Sequence, residues 1–254
     1  MNLSPPLPPG WYGKLPTLGD FASRRLDPAF VEAWDRWLAD GLAAQREALG
    51  GGWVRAYLHS PAWRFVLMPG VVGAGRVATA WAGVLMPSVD SVGRYFPLTL
   101  VAALPVLPAD ANGLEALLGW MQRLEDVAVD AMQDDWEIDR LEDVLALMAP
   151  DLTPLDAGQT AQQPDPFAHA LEGAGGFVDL AGVRSRADLV SAVVGTFGRH
   201  TGDGWQQAAS GRSFWLADHP SEPRLLVARG LPGRADFIAM LGASSRDADA
   251  TTLF

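Results

Sequence analysis

Three apolar runs of strand length follow one another between residues 63 and 105 and constrain the fold more than any other feature. They read WRFVLMPG from Trp63, RVATAWAGVLMPS from Arg76 and RYFPLTLVAALP from Arg94. Valine, threonine and aromatic residues favour strands, and proline and glycine punctuate the runs and leave only short connections. The pattern therefore predicts an antiparallel meander that forms the core of a sheet.

A helix is predicted before this meander. Asp27 is placed as its N-cap, Pro28 occupies the first helical position, and Gly50 follows the last one. The apolar residues recur at helical spacing and define one face to be buried, consisting of Phe30, Trp34, Trp37, Leu38 and Leu42. We expect most of the ten tryptophans of the chain to be buried as core or interface residues.

Two further helices are predicted after the meander. The first is rich in leucine, with Asn112 and Glu115 at the spacing of a capping box, and the second runs from about Glu137 to Met148. Residues 149–166 have the proline, aspartate and glutamine content of an exposed loop. They mark a possible boundary within the chain.

The last third repeats the pattern of helices and strands. A helix is predicted to start at Ser185, and two strand candidates and a final helix follow, with the sequences RSFWLAD, RLLVARG and RADFIAML. Helices that cover a largely antiparallel sheet form an α/β (α+β) sandwich. We therefore expect residues 1–254 to form a single domain of this class.

Composition excludes several function classes. The 254 residues include no cysteine, which removes disulfides, cysteine-ligated zinc and thiol nucleophiles. A net charge of −11 disfavours binding to nucleic acid or anionic lipid. The first residues lack the pattern of a signal peptide, and no apolar run approaches the length of a membrane span. We expect a cytoplasmic protein without membrane insertion.

The only lysine of the chain, Lys14, follows Gly13 in the stretch GWYGKLPTLGDF. A phosphate-binding loop requires Gly-x-x-x-x-Gly-Lys followed by Ser or Thr. Here Pro8 replaces the first glycine, Leu15 replaces the hydroxyl residue, and Pro16 would interrupt the helix that receives the phosphate. The stretch is predicted to form a turn instead, with Lys14 either in an ion pair with an acid such as Asp20 or directed toward a partner.

No complete catalytic or metal-binding set is present in the sequence. The row Asp126, Asp130 and Asp134 lies on one helical face and favours a solvated surface over a partner site. No Gly-x-Ser-x-Gly elbow occurs. The four histidines show no close ligand spacing, so we expect neither a metal nor a cofactor; they are His59, His169, His200 and His219.

The string MPSVDSVGRYFPLTL places small and polar residues between two strand-like runs. One interpretation is a turn in which Asp90 caps backbone amides or pairs with Arg94. The other is that this turn presents Asp90 and Arg94 to a partner.

Two strings together resemble a known family. GWYGKLPTLGDFASRRL with FVEAWDRWL, and SPAWRFVLMPG with WAGVLMPSVDSVGRYFPLTL, are similar to the N-terminal signature of TagF, also called ImpM, a family of type VI secretion accessory proteins. The dense part of the resemblance covers about residues 10–104, and we place the signature region at 10–135. The motif positions are Gly13, Lys14, Pro16, Gly19, Asp20, Phe21, Trp63, Arg64, Phe65, Ser88, Asp90, Gly93, Arg94 and Pro97.

The resemblance implies a longin-like α/β sandwich and a function in regulation. The family is implicated in post-translational repression of type VI secretion in the cytoplasm, together with the forkhead-associated protein Fha, and implies no catalytic role. The candidate polar cluster, whether structural or partner-binding, is Lys14, Asp20, Arg24, Ser88, Asp90 and Arg94. The alternative is a small-ligand sensor or enzyme with a polar pocket around Lys14, Asp20, Asp90 and Arg94.

Overall fold

A computed structural model describes the greater part of the chain. The described residues are 7–72, 79–104, 107–108, 111–150, 175–178, 188, 209–218 and 223–241. Their strands are β1 (Gly10–Gly13), β2 (Ala22–Arg24), β3 (Trp63–Leu67), β4 (Ala80–Met86), β5 (Leu98–Leu104), β6 (Gly175–Phe177), β7 (Arg212–Asp218) and β8 (Pro223–Arg229). Their α-helices are α1 (Pro28–Leu49), α2 (Trp53–Leu58), α3 (Ala111–Gln133), α4 (Ile138–Ala146) and α5 (Arg234–Leu241).

The described strands form one antiparallel sheet in the order β2-β1-β5-β4-β3-β7-β8-β6. The predicted meander is confirmed, because β4 pairs with β3 on one side and with β5 on the other. The sheet is extended by strands distant in sequence, since β1 pairs with β5 and β7 pairs with β3. The first strand, β1, therefore lies beside β5, the last strand of the meander.

Both faces of the sheet are covered by helices. Along β4, Val84 packs on the side of α3 and α4, whereas Leu85 packs on the side of α1 and α5. This alternation is the period of two expected of a strand, and it buries both faces. The predicted α/β sandwich with a largely antiparallel sheet is confirmed. Among the described helices, none has the length and apolarity needed to cross a membrane.

Helix α1 begins and ends as its sequence predicts. The side chain of Asp27 accepts a hydrogen bond from the amide of Ala29 at 2.7 Å, and Gly50 at the C-cap has a φ of +51°. The indole nitrogen of Trp34 donates to the Thr99 hydroxyl on β5 at 2.8 Å, which fixes α1 on the sheet. Most described tryptophans are buried, as expected: Trp11, Trp34, Trp63, Trp120, Trp136 and Trp215.

Two predicted helix boundaries are wrong. Helix α3 begins at Ala111, so Asn112 lies inside the helix and is not its N-cap. Helix α4 ends at Ala146, because the amides of Leu147 and Met148 bond three residues back and tighten the last turn.

The strands and the final helix of the last third are confirmed as β7, β8 and α5. The predicted helix start at Ser185 lies outside the described residues, as does most of the predicted loop at 149–166.

Candidate functional site

The glycine before Lys14 is required by the strand geometry. Gly13 ends β1 with a φ of +132°, a backbone conformation that residues other than glycine rarely adopt. A Cβ atom at this position would lie 2.1 Å from the carbonyl oxygen of Pro97, which precedes β5. The Gly-Lys pair therefore reflects close contact between two neighbouring strands, in agreement with the rejection of a phosphate loop.

Lys14 forms a buried ion pair with Asp90. The Nζ atom of Lys14 donates to Oδ2 of Asp90, and the two side chains are only 2% and 0% exposed. The same ammonium lies 4.6 Å from the centre of the Phe21 ring. The sequence left open whether Lys14 pairs with an acid or turns toward a partner; it pairs with Asp90, not with Asp20.

Asp90 organises the loop between β4 and β5. Its Oδ1 atom accepts hydrogen bonds from the amides of Val92 at 3.1 Å and Arg94 at 2.8 Å, and its Oδ2 atom accepts from Nε of Arg94 at 2.7 Å. Burial alone would raise the pKa of the Asp90 carboxyl, but the donors from Lys14, Arg94 and Val92 together hold that pKa well below its usual range. Asp90 thus both caps backbone amides and pairs with Arg94.

Ser88 joins the two signature motifs. Its hydroxyl donates to the backbone carbonyl of Lys14 at 2.7 Å. The hydroxyl of Tyr57, from α2, donates to the carbonyl of Ser88 at 3.0 Å and accepts from its amide at 2.9 Å. Burial raises the pKa of the Tyr57 phenol, so this hydroxyl remains protonated and able to donate. The sequence contained no local signal for the part played by Tyr57.

The structure brings together four of the six predicted polar residues. Lys14, Ser88, Asp90 and Arg94 are directly connected, and we call them the polar cluster. Asp20 is exposed and accepts a hydrogen bond from the amide of Phe21 at 2.8 Å.

Arg24 is also exposed, and its guanidinium donates to the carbonyl of Ser23 at 2.9 Å. Its neighbour Arg25, which the sequence did not single out, forms an ion pair with Glu142 on α4. The indole of Trp11 donates to the same carboxylate at 2.6 Å. This contact ties the first hairpin to α4, away from the polar cluster.

An open groove of about 520 Å³ lies beside the polar cluster. Its floor and walls come from the segment between β1 and β2, from α1, and from the loop before β5. We call it the Arg46–Arg94 groove, lined by Lys14, Phe21, Ala39, Leu42, Arg46, Gly93, Arg94, Tyr95 and Phe96. Arg94 bridges the two features, because its side chain contacts Asp90 and is still 52% exposed.

The remaining sequence candidates show no metal chemistry in the described ranges. No group of three or more histidine, aspartate or glutamate side chains there has the geometry of a metal site. His59 is exposed and its Nδ1 atom lies 2.8 Å from the carbonyl of Arg55, whereas His169, His200 and His219 lie outside the described residues. Asp126, Asp130 and Asp134 are exposed, as the prediction of a solvated face required.

Comparison with known proteins identifies the family. The model of the TagF N-terminal domain, described as type VI secretion system-associated, matches residues 10–148. This interval exceeds half of the 254 residues and contains the whole polar cluster. The chain belongs to the TagF family. The interval also contains the signature region that the sequence placed at 10–135.

A solved structure extends the comparison beyond the TagF N-terminal domain. The crystal structure of PA0076 from Pseudomonas aeruginosa PAO1 is similar to this TagF chain at 31% sequence identity and a TM-score of 0.63. The match covers 93% of this chain and 95% of that chain, and it therefore extends beyond residues 10–148. A comparison with curated proteins found no match.

Proposed function

We propose that this TagF protein is a non-enzymatic, post-translational repressor of type VI secretion that acts in the cytoplasm by binding the Fha protein of the same system. The observation that carries the proposal is the match of residues 10–148 to a domain associated with type VI secretion. The role of repressor and the Fha partner come from the family resemblance of the signature strings, which include the polar cluster.

The contacts of the polar cluster support binding over catalysis. A catalytic group must reach the reacting atoms of a substrate. Lys14 and Asp90 are instead buried against each other, and the Ser88 hydroxyl is engaged with the carbonyl of Lys14. These residues hold the loop between β4 and β5 in one conformation and so shape the surface around it.

Deletion and binding experiments test the proposal together. Deleting the gene is expected to increase secretion by the type VI system without changing the abundance of its components, as a post-translational mechanism requires. Purified protein is expected to form a complex with the cognate Fha protein at micromolar concentration. Unchanged secretion on deletion and no complex at that concentration would overturn the proposal.

A small-ligand sensor or enzyme is the second candidate. The Arg46–Arg94 groove favours it, because a concave site with several polar groups is the usual form of a ligand pocket. Against it, Asp20 is not among the groove residues and Asp90 is covered by its own partners. This candidate would be favoured if a compound from a set of metabolites raises the melting temperature of the unchanged protein but not that of the Arg46→Ala variant.

A further inference from the structure

The Arg46–Arg94 groove is a positively charged site on an acidic protein. Its lining includes Lys14, Arg46 and Arg94, and no aspartate or glutamate from the described part of the chain. The carboxylate of Asp90 lies behind Lys14 and Arg94 and balances one of these charges. The three cations of the lining and the Asp90 carboxylate together carry a charge of +2, whereas the chain as a whole carries −11.

Arg46 is the cation most available to a partner. It is exposed on the last turns of α1, and within the described residues it forms no ion pair with a carboxylate. Its guanidinium lies 4.3 Å from the centre of the Trp53 ring, which orients the side chain without neutralising it. Arg46 and the exposed part of Arg94 thus present two guanidinium groups from different elements to one groove.

The backbone around the groove is not built for phosphate. The amides of Gly93 and Arg94 already donate to the carbonyl and side chain of Asp90, and the amide of Phe96 donates to the carbonyl of Ser88. Helix α1 lines the groove with residues from Ala39 onward, far from its N-terminus. These three amides and the N-terminus of α1 are therefore not available to cradle a phosphate at this site.

The walls between the cations are apolar and partly open. The Phe21 ring is 45% exposed and packs at 4.7 Å against the Phe96 ring. Leu42 and Tyr95 continue this surface. A groove with apolar walls and separated guanidinium groups matches a peptide that carries both carboxylates and apolar side chains.

We propose that the Arg46–Arg94 groove binds an acidic segment of a protein partner, with carboxylates on Arg46 and Arg94 and apolar side chains against Phe21. The inference rests on the proposed function, because it names the surface by which the repressor meets its partner. It adds the chemistry of the recognised segment, which family membership does not supply.

A charge reversal at Arg46 tests the groove with the Fha protein as the probe. Arg46→Glu is expected to weaken binding by about tenfold or more, because it places a carboxylate opposite the acidic segment. The affinity of the unchanged protein is expected to fall between about 50 mM and about 300 mM NaCl, and the fall should be smaller for Arg46→Glu. Equal affinity and equal salt dependence of the two proteins would overturn the groove as the binding surface.

Arg36→Glu is the matched control. Arg36 is also an exposed arginine of α1 and is not a groove residue, and its ion-pair partner among the described residues is the exposed Glu32 at 2.7 Å. We expect Arg36→Glu to bind the Fha protein within about twofold of the unchanged protein, since an exposed pair of this kind contributes little. Equal weakening by both variants would indicate a general charge effect and overturn the inference.

A photo-crosslinking residue at Ala39 separates this inference from the proposed function. Ala39 is exposed in the groove, and Leu147, 89% exposed on the described surface, provides the control position. In cells, the inference expects a crosslinked partner peptide rich in aspartate and glutamate from position 39 only.

Crosslinking tests the acidic segment without assuming that the partner is Fha. An acidic crosslinked peptide from a protein other than Fha would contradict Fha as the partner and support the binding of an acidic segment in the groove. If Arg46→Glu binds Fha with unchanged affinity and no acidic peptide is crosslinked at position 39, the groove is not the binding surface. The proposed function would be unaffected by that result. Binding of inorganic phosphate alone, dependent on Arg46, would also overturn the acidic segment.

Discussion

Lys14 and Asp90 form a buried ion pair that joins the end of β1 to the loop between β4 and β5. The two residues are separated by 76 positions in the sequence, and Asp90 also accepts hydrogen bonds from the amides of Val92 and Arg94. The contact links the two strings by which the family signature was recognised.

Removing the cation of this pair is expected to destabilise the fold. Lys14→Met leaves the Asp90 carboxylate buried, with Arg94 as its remaining ion-pair partner among the described residues. We expect the melting temperature to fall by roughly 5–10 °C. The double variant Lys14→Met, Asp90→Asn removes both charges and is expected to recover part of this loss. Thermal unfolding followed by circular dichroism gives the melting temperatures of the single and the double variant. An unchanged melting temperature for Lys14→Met would show that the pair contributes no net stability.

The low pKa of Asp90 predicts a defined loss of stability in acid. An aspartate in the unfolded chain titrates at about pH 3.9, whereas the folded pKa of Asp90 is lower. The stabilisation is therefore complete above the unfolded value and is lost as pH falls toward the folded one. The difference in melting temperature between the unchanged protein and Asp90→Asn should shrink steadily below about pH 4. A difference that is constant with pH would contradict this assignment.

The conformation of Gly13 predicts a large effect of a single methyl group. Gly13→Ala introduces a Cβ atom 2.1 Å from the Pro97 carbonyl at a positive φ. We expect a loss of roughly 2–4 kcal/mol in the free energy of unfolding, measured in urea. Gly51→Ala is the control, because a Cβ there meets nothing within 4 Å. A similar small effect of both substitutions would contradict the close contact of β1 with the start of β5.

The hydrogen bond between Trp34 and Thr99 predicts a cost for losing one hydroxyl. Both side chains are buried, so Thr99→Val leaves the indole N–H without its acceptor at nearly constant volume. We expect the free energy of unfolding to fall by about 1–3 kcal/mol. Thr99→Ser keeps the hydroxyl and should lose less. Urea denaturation monitored by tryptophan fluorescence compares the two, and a greater loss for Thr99→Ser would refute the importance of the bond.

Local patterns were sufficient to predict the elements but not their neighbours. The strand at β7 and the helix at α5 match the predicted stretches because alternation and helical spacing are local properties. The pairing of β3 with β7 joins segments about 150 residues apart, and no local pattern specifies which strand is adjacent. The partner of Lys14 escaped prediction for the same reason: Asp20 is close in sequence, whereas Asp90 is close in space.

Arg24 and Arg94 illustrate the limit of motif reading at the site. Both belong to the candidate residues, and both are arginines beside other polar residues in the sequence. Arg94 lies in the polar cluster and lines the groove. Arg24 is exposed, and within the described structure its guanidinium donates to the carbonyl of the neighbouring Ser23. Side-chain direction at the end of a short edge strand depends on pairing and twist, which composition does not encode.

This contrast supplies a test that separates binding from stability. Arg94→Ala removes a half-exposed side chain, while Lys14 and the amides of Val92 and Arg94 still hold Asp90. We expect a small fall in melting temperature but about a tenfold loss of affinity for the Fha protein, because Arg94 also lines the groove. Arg24→Ala should change neither quantity. If the affinity of Arg94→Ala falls no more than its fraction of unfolded protein explains, Arg94 serves the fold alone.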